Sequence, residues 1–199
     1  PRSFHQFFCQ QPQAAQDIVG RGILEMSEHS MNEFAMMLEN TDEISIFGDG
    51  SVKDGRGAHA TRLYPDNLFA KDTPRLDSSA VTSGDPDTIT SLRSESSSTL
   101  SGLYVVYFLK THYSLELDLI IHFYYDNCES LRRLDTLADF EYFADPLATD
   151  YDIWAELHRV AALLDLPLET HHVGDPDWIP RTAADLRRNF DTDIYHVAR

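Results

Sequence analysis

The chain has 199 residues, 42% of them hydrophobic, which is enough for one sizeable α/β domain with an appendage. Its formal net charge of −17, from 33 acidic and 16 basic residues, repels polyanions and removes the counterion release that drives ordinary nucleic-acid binding. No apolar run approaches the roughly eighteen residues of a membrane span, and two cysteines, Cys9 and Cys128, are too few for a disulfide framework or a structural zinc site.

The opening "PRSFHQFFCQQPQ" starts at Pro and lacks the basic-then-apolar layout of a signal peptide, so a fragment of a longer chain is expected. With so few cysteines, an intracellular setting, cytoplasm or nucleus, is expected rather than secretion. Residues 17–40 space Ile23, Leu24, Met26, Met31, Phe34, Met37 and Leu38 roughly helically, predicting a leading helix or helix pair. Residues 1–41 therefore read as a helical segment ahead of a domain at 42–199.

"EISIFGDGSV" is strand-like, with Ser45, Phe47 and Asp49 on one face and Ile44 and Ile46 on the other. Asp54-Gly55 is a turn dipeptide, Gly57 relieves close backbone approach, and "GAHATRLYP" returns as a second strand stopped by Pro65. Taken alone, the stretch reads most simply as a surface hairpin. A short third strand is expected around 78–81 inside a Ser/Asp/Pro-rich stretch. Thr90 or Ser91 caps a helix running through Leu92, Leu100, Leu103, Val106 and Leu109. "LDLIIHFYYDN" reads as a central strand, apolar on both faces. "NCESLRRLDTLADF" follows as a short helix, "YDIWAELHRVAALLDL" as an amphipathic helix, "PLETHHV" as a strand, "GDPDWIPRT" as a loop and "AADLRRNFDTDIYHVA" as a last helix. This order, helix then β-β-β-α-β-α-α-β-α, predicts an α/β fold: an antiparallel meander continued by helix-separated strands in a mixed, helix-flanked sheet.

Four acids stand out. Asp49 ends an apolar strand run, where a carboxylate has to be paired, neutralised or bound to a metal. Asp126 repeats the situation after "LIIHFYY", although Asp126 and Asn127 also read as helix caps. Glu95, at about 100° per residue, shares an azimuth with Leu92, Thr99, Gly102 and Val106. It therefore lies on or beside the sheet-facing stripe, where Gly102 would allow close approach, or else is solvated among its serines. Asp193 lies on the last helix beside Asp191. His171 and His172 read as ordinary strand histidines, since neither an HExxH pattern nor a cysteine partner accompanies them. Trp154 and Trp178 read as core and loop anchors.

"GDGSVKDGRGAHA", "SLRSESSSTLSGL", "YYDNCESL" and "NFDTD", in this order and in these elements, resemble the ribonuclease H family, in particular the ribonuclease H domains of non-LTR retroelement reverse transcriptases. The resemblance spans about residues 42 to 199. It implies a ribonuclease H-like mixed five-stranded sheet, three antiparallel strands followed by parallel ones. It also implies two Mg²⁺ or Mn²⁺ ions held by Asp49, Glu95, Asp126 and Asp193, with Asp49 bridging and Asp193 on the water side. Ser51, Asn127 and Asn189 would contact the substrate. The implied activity is hydrolysis of the RNA strand of RNA/DNA hybrids, with a reverse transcriptase domain upstream in the same polyprotein and no membrane partner. One departure is notable: where active relatives carry a loop His in a Gly-His context, "HHVGDPDW" has Asp175 after Gly174, and His172 sits earlier. The alternative is therefore a weak or inactive ribonuclease H-like module with a structural or interaction role. Other motifs fail: Lys53 occupies a ligand position of an EF-hand loop, "DGS" is not the aspartic-protease triplet, and neither a GxSxG elbow nor a phosphate-binding Gly-rich loop is present.

Overall fold

A computed structural model describes residues 3–65, 74–125, 132 and 149–172. The elements are α1 (Phe4–Phe8), α2 (Gln13–Val19), a 3₁₀ turn (Arg21–Glu25), α3 (Glu28–Glu39), β1 (Glu43–Lys53), β2 (Arg56–Pro65), β3 (Leu76–Thr82), α4 (Ser91–Tyr113), β4 (Ile120–Tyr125), α5 (Tyr151–Leu164) and β5 (Leu168–His172). The expected helix after residue 126, the loop after Gly174 and the last helix, with Trp178, lie outside the described residues.

The five strands form one sheet in the order β3-β2-β1-β4-β5. β1, β2 and β3 pair antiparallel, whereas β4 runs parallel to β1 and β5 parallel to β4. This is the mixed sheet, three antiparallel strands and then parallel ones, that the element order predicts. Asp54 and Gly55 both hold positive φ, 52° and 72°, as a two-residue primed turn between right-twisted strands demands. The third strand is longer than expected, reaching from Leu76 to Thr82.

Residues 17–40 form separate helical pieces. Gly20 is the reason: its φ of 81° ends α2, and a Cβ there would sit 1.9 Å from the carbonyl oxygen of Ser79 on β3. Ser27 caps α3 by accepting from the Ser30 amide. The leading segment shares the core of the sheet: Phe4, Phe8, Val19, Ile23, Met31, Phe34 and Leu38 pack in one cluster with Leu103, Phe108 and Leu109 of α4. His59 of β2 fastens it, donating from Nε2 to the Ile18 carbonyl at 2.7 Å and accepting at Nδ1 from the Thr82 hydroxyl at 3.0 Å. Burial pushes the pKa of this imidazole down and keeps it neutral.

α4 is the central helix, capped by Thr90 as expected. Gly102 lets it approach the sheet, since a Cβ there would stand 2.7 Å from Ile46 Cγ2. α5 packs on α4 through Ile153, Trp154, Leu157, Val160 and Leu164, and Trp154 is the core residue that the periodicity indicates. Arg93 joins the two helix starts, bonding Asp150 at 3.0 Å, Asp152 at 2.7 Å and the Ser83 carbonyl at 2.6 Å. The hydrogen bonds that Arg93 donates to Asp152 hold the Arg93 pKa above its ordinary value and the Asp152 carboxyl below its own.

Candidate active site

Asp49 lies on the central strand two residues beyond Phe47, the last β1 residue registered with β4, and it pairs with Ala60 of β2. The strand alternates as expected. Gly48 and Gly50 face α4, while Phe47 lies on the opposite face, its ring stacked on Tyr124 at 4.6 Å. The half-buried Asp49 carboxylate accepts at Oδ1 from the Gly50 amide at 2.8 Å, which restricts its rotation.

Gly50 brings Glu95 to this point. A Cβ on Gly50 would stand 2.4 Å from the Glu95 amide nitrogen and 2.4 Å from the Ser94 carbonyl carbon, so the backbones of β1 and α4 touch here without an intervening side chain. Gly57 on β2 makes room for side chains instead: a Cβ there would meet Ile89 Cδ1 at 2.6 Å and Ser94 Oγ at 2.8 Å. Glu95 itself is 6% exposed. The structure therefore decides against the solvated-helix reading: the serines around Glu95 form the buried side of α4, and Ser94, Ser96, Ser97, Ser98, Thr99 and Ser101 are all buried.

Such a seam is stable only if its hydroxyls are bonded. Ser96, Ser97 and Ser98 donate back to the carbonyls of Leu92, Arg93 and Glu95 at 2.8, 2.8 and 2.6 Å. Ser78 of β3 bonds Ser101 at 2.7 Å, and Thr61 of β2 donates to the Ser98 carbonyl at 2.7 Å. Thr99 bonds the hydroxyl of Tyr125, the last residue of β4, at 2.6 Å. The Tyr125 ring closes the space above Gly48, where a Cβ would meet its Cε1 at 2.7 Å. Burial is the main cause that raises the Tyr125 pKa, with the Glu95 charge acting in the same direction.

Three elements thus meet: β1 around Asp49 and Gly50, the start of α4 with Glu95, and the end of β4 at Tyr125. Asp126 follows Tyr125 directly in sequence; Asp126, Asn127, Asn189 and Asp193 lie outside the described residues. Ser51 is exposed on the outgoing arm of the hairpin, and its carbonyl accepts from Ser94 Oγ at 3.4 Å. The close backbone contact at Gly50 was missed in the sequence, although small residues facing each other on strand and helix, Gly-x-Gly against Ser-Glu-Ser-Ser-Ser, are its signal.

The arrangement belongs to the α/β class, a mixed five-stranded sheet of three antiparallel and then parallel strands flanked by helices. No family model and no curated protein matches the chain. Solved structures do. A ribonuclease H1 isolated from compost by a metagenomic approach is 17% identical over 74% of this chain and 92% of its own, with a TM-score of 0.46. The prototype foamy virus protease-reverse transcriptase is 11% identical over 78% of this chain and 20% of its own, with a TM-score of 0.49. The ribonuclease H domain of that virus is 8% identical over 78% of this chain and 88% of its own, with a TM-score of 0.45. Among the described residues, no helix is long and apolar enough to cross a membrane.

Proposed function

We propose that this protein is a metal-dependent endonuclease of the ribonuclease H type, hydrolysing the RNA strand of RNA/DNA hybrids as part of a retroelement reverse transcriptase. Residues 1–41 would then lead in from the upstream polymerase of the same polyprotein, and the working setting would be the cytoplasm or nucleus. The observation that carries this reading is the contact at Gly50, which sets the buried Glu95 of α4 against the stretch of β1 that bears Asp49. A carboxylate buried beside a closely packed helix costs solvation, and that cost suits a site meant to hold cations.

The donor set fits Mg²⁺ or Mn²⁺, because Asp49 and Glu95 offer hard oxygen donors and, among the described residues, the surrounding seam is made of hydroxyls and backbone. Asp126 and Asp193 complete the proposed set of four. Two such ions would activate the attacking water and stabilise the leaving 3′ oxygen. The chain's own contribution is positioning. The Gly50 amide orients the Asp49 carboxylate, and Ser98 and Thr99 both bond the Glu95 carbonyl, which fixes the helix turn from which its side chain projects. Ser51, Asn127 and Asn189 would bind the substrate, with preference for an RNA strand coming from groove shape and 2′-hydroxyl contacts.

A labelled RNA/DNA hybrid incubated with the protein and Mg²⁺ or Mn²⁺ tests the reading. Cleavage of the RNA strand is expected, falling by about 10²- to 10³-fold in Asp49→Asn, the scale on which losing a preorganised charge-stabilising group acts. Cleavage no greater than that of Asp49→Asn in either metal would leave a non-catalytic module of the same fold.

A further inference from the structure

We infer that β4 and β5 carry a second cation site, distinct from the acids of β1 and α4, in which His122, His171 and Glu169 bind one borderline transition-metal ion of the Zn²⁺ class. His122 Nδ1 lies 2.9 Å from His171 Nε2 and 3.4 Å from Glu169 Oε2, and the last two atoms are 4.0 Å apart. Ligand bonds of about 2.0–2.1 Å in a tetrahedron place donor atoms about 3.3–3.4 Å from one another. The triangle brackets that spacing, and adjustments of a few tenths of an ångström close it around an ion.

The hydrogen positions point the same way. The Glu43 carboxylate of β1, 3.1 Å from His122 Nε2, can only accept, so His122 carries a hydrogen on Nε2, and in the neutral ring it is the Nδ1 lone pair that faces His171 and Glu169. Two lone-pair donors, Nδ1 and the Glu169 carboxylate, thus converge on one point where a single hydrogen from His171 is available. A divalent ion satisfies all three groups at once, with the His171 hydrogen moving to its Nδ1. The Glu43–His122 pair already has the form of the carboxylate–histidine support that orients and strengthens metal-bound imidazoles. The ring of His171 is held in plane by stacking on Tyr124 at 4.7 Å.

Two imidazoles and one carboxylate suit Zn²⁺ and its neighbours, whereas Mg²⁺ prefers oxygen alone. The site is also remote from Asp49. His122 registers with Ser45, four residues before Asp49, which at strand rise is about 13 Å away. Because β5 is the last strand of the sheet order and Glu169 is exposed, the ion is accessible from solvent and ties the edge strand to β4. Histidines of adjacent parallel strands meet only after pairing, which is why His171 read as an ordinary strand residue when His122 lay 49 positions away.

Titrating the full, metal-stripped chain with Co²⁺ and following the visible bands of four- or five-coordinate cobalt tests the proposal. One intense Zn²⁺-displaceable site per chain is expected, with a Zn²⁺-dependent rise in Tm. His171→Ala should abolish both. Glu169→Gln, on an exposed side chain that leaves the fold intact, should weaken affinity at least about 10-fold, and Glu43→Gln about 10- to 100-fold. Asp49→Asn should leave the bands unchanged, so the result stands whether or not the protein cuts hybrids. Only the pale spectrum of hydrated cobalt, or bands that survive in both His171→Ala and Glu169→Gln, would overturn the site.

Discussion

The centre and the edge of this sheet handle ionisable side chains in opposite ways. At the centre, Glu95 is 6% exposed and reaches its place because Gly48 and Gly50 present bare backbone to a helix face made of serines. At the edge, the Glu169 side chain is 53% exposed, meets His122 by cross-strand pairing and lies two residues from His171 on its own strand. The central arrangement depends on atoms that cannot move, a backbone against a backbone. The edge depends on side chains with room to turn. Rigidity of the first kind holds a carboxylate close to its neighbours at a cost in solvation, and looseness of the second lets three ligands adjust to an ion.

The largest expected effect breaks the centre. Gly50→Ala places a methyl 2.4 Å from the Glu95 amide, backbone that cannot swing aside, so about 3 kcal/mol of stability should be lost together with hybrid cleavage. Glu169→Ala at the edge should change the stability of the metal-free protein by no more than about 0.5 kcal/mol. Urea unfolding of both variants checks the contrast, and equal losses would erase it.

Arg93→Ala comes next. It strips the cation from Asp150, a carboxylate whose side chain is 6% exposed, and loosens the start of α4 from α5. A loss of about 2–3 kcal/mol is expected, within the range for removing one partner of a buried pair. Asp150→Asn in the same background should recover part of it. Gly48→Ala should cost less, about 1–2 kcal/mol, because a Cβ there meets the Ser98 hydroxyl and the Tyr125 ring, which are side chains rather than backbone.

The smallest effect is a pH response. Burial lowers the folded pKa of His59 below its ordinary 6.5, so the unfolded chain binds the proton more tightly. The His59 contribution to stability is therefore complete above 6.5 and is lost as pH falls through 6.5 towards the folded value. Tm measured from about pH 7.5 down to about pH 5 should decline, with a shallower slope in His59→Gln. An unchanged slope would mean that the imidazole fastening the leading segment does not titrate in this range.

Local pattern was enough for the elements of the sheet. Apolar alternation marked β1, Asp54-Gly55 marked the hairpin, Thr90 marked the start of α4, and the element order implied the strand directions that the sheet shows. These features depend on side-chain period and on turn and cap chemistry within a few residues, and both are written in the chain. The place where the helical segment at 17–40 breaks was not legible, because Gly20 is held there by close packing against Ser79 some sixty residues away. The burial of Glu95 was not legible either. A serine-rich helix face looks solvated until its hydroxyls find carbonyls, and the Thr61, Ser78 and Tyr125 partners come from three different strands. Residue type and order thus determined that acids follow two apolar strand runs and that one acid sits on a helix. Only the packing of glycine against serine decided that the stretch of β1 bearing Asp49 meets the helix turn bearing Glu95, since long-range contact depends on which surfaces fit and not on any local period.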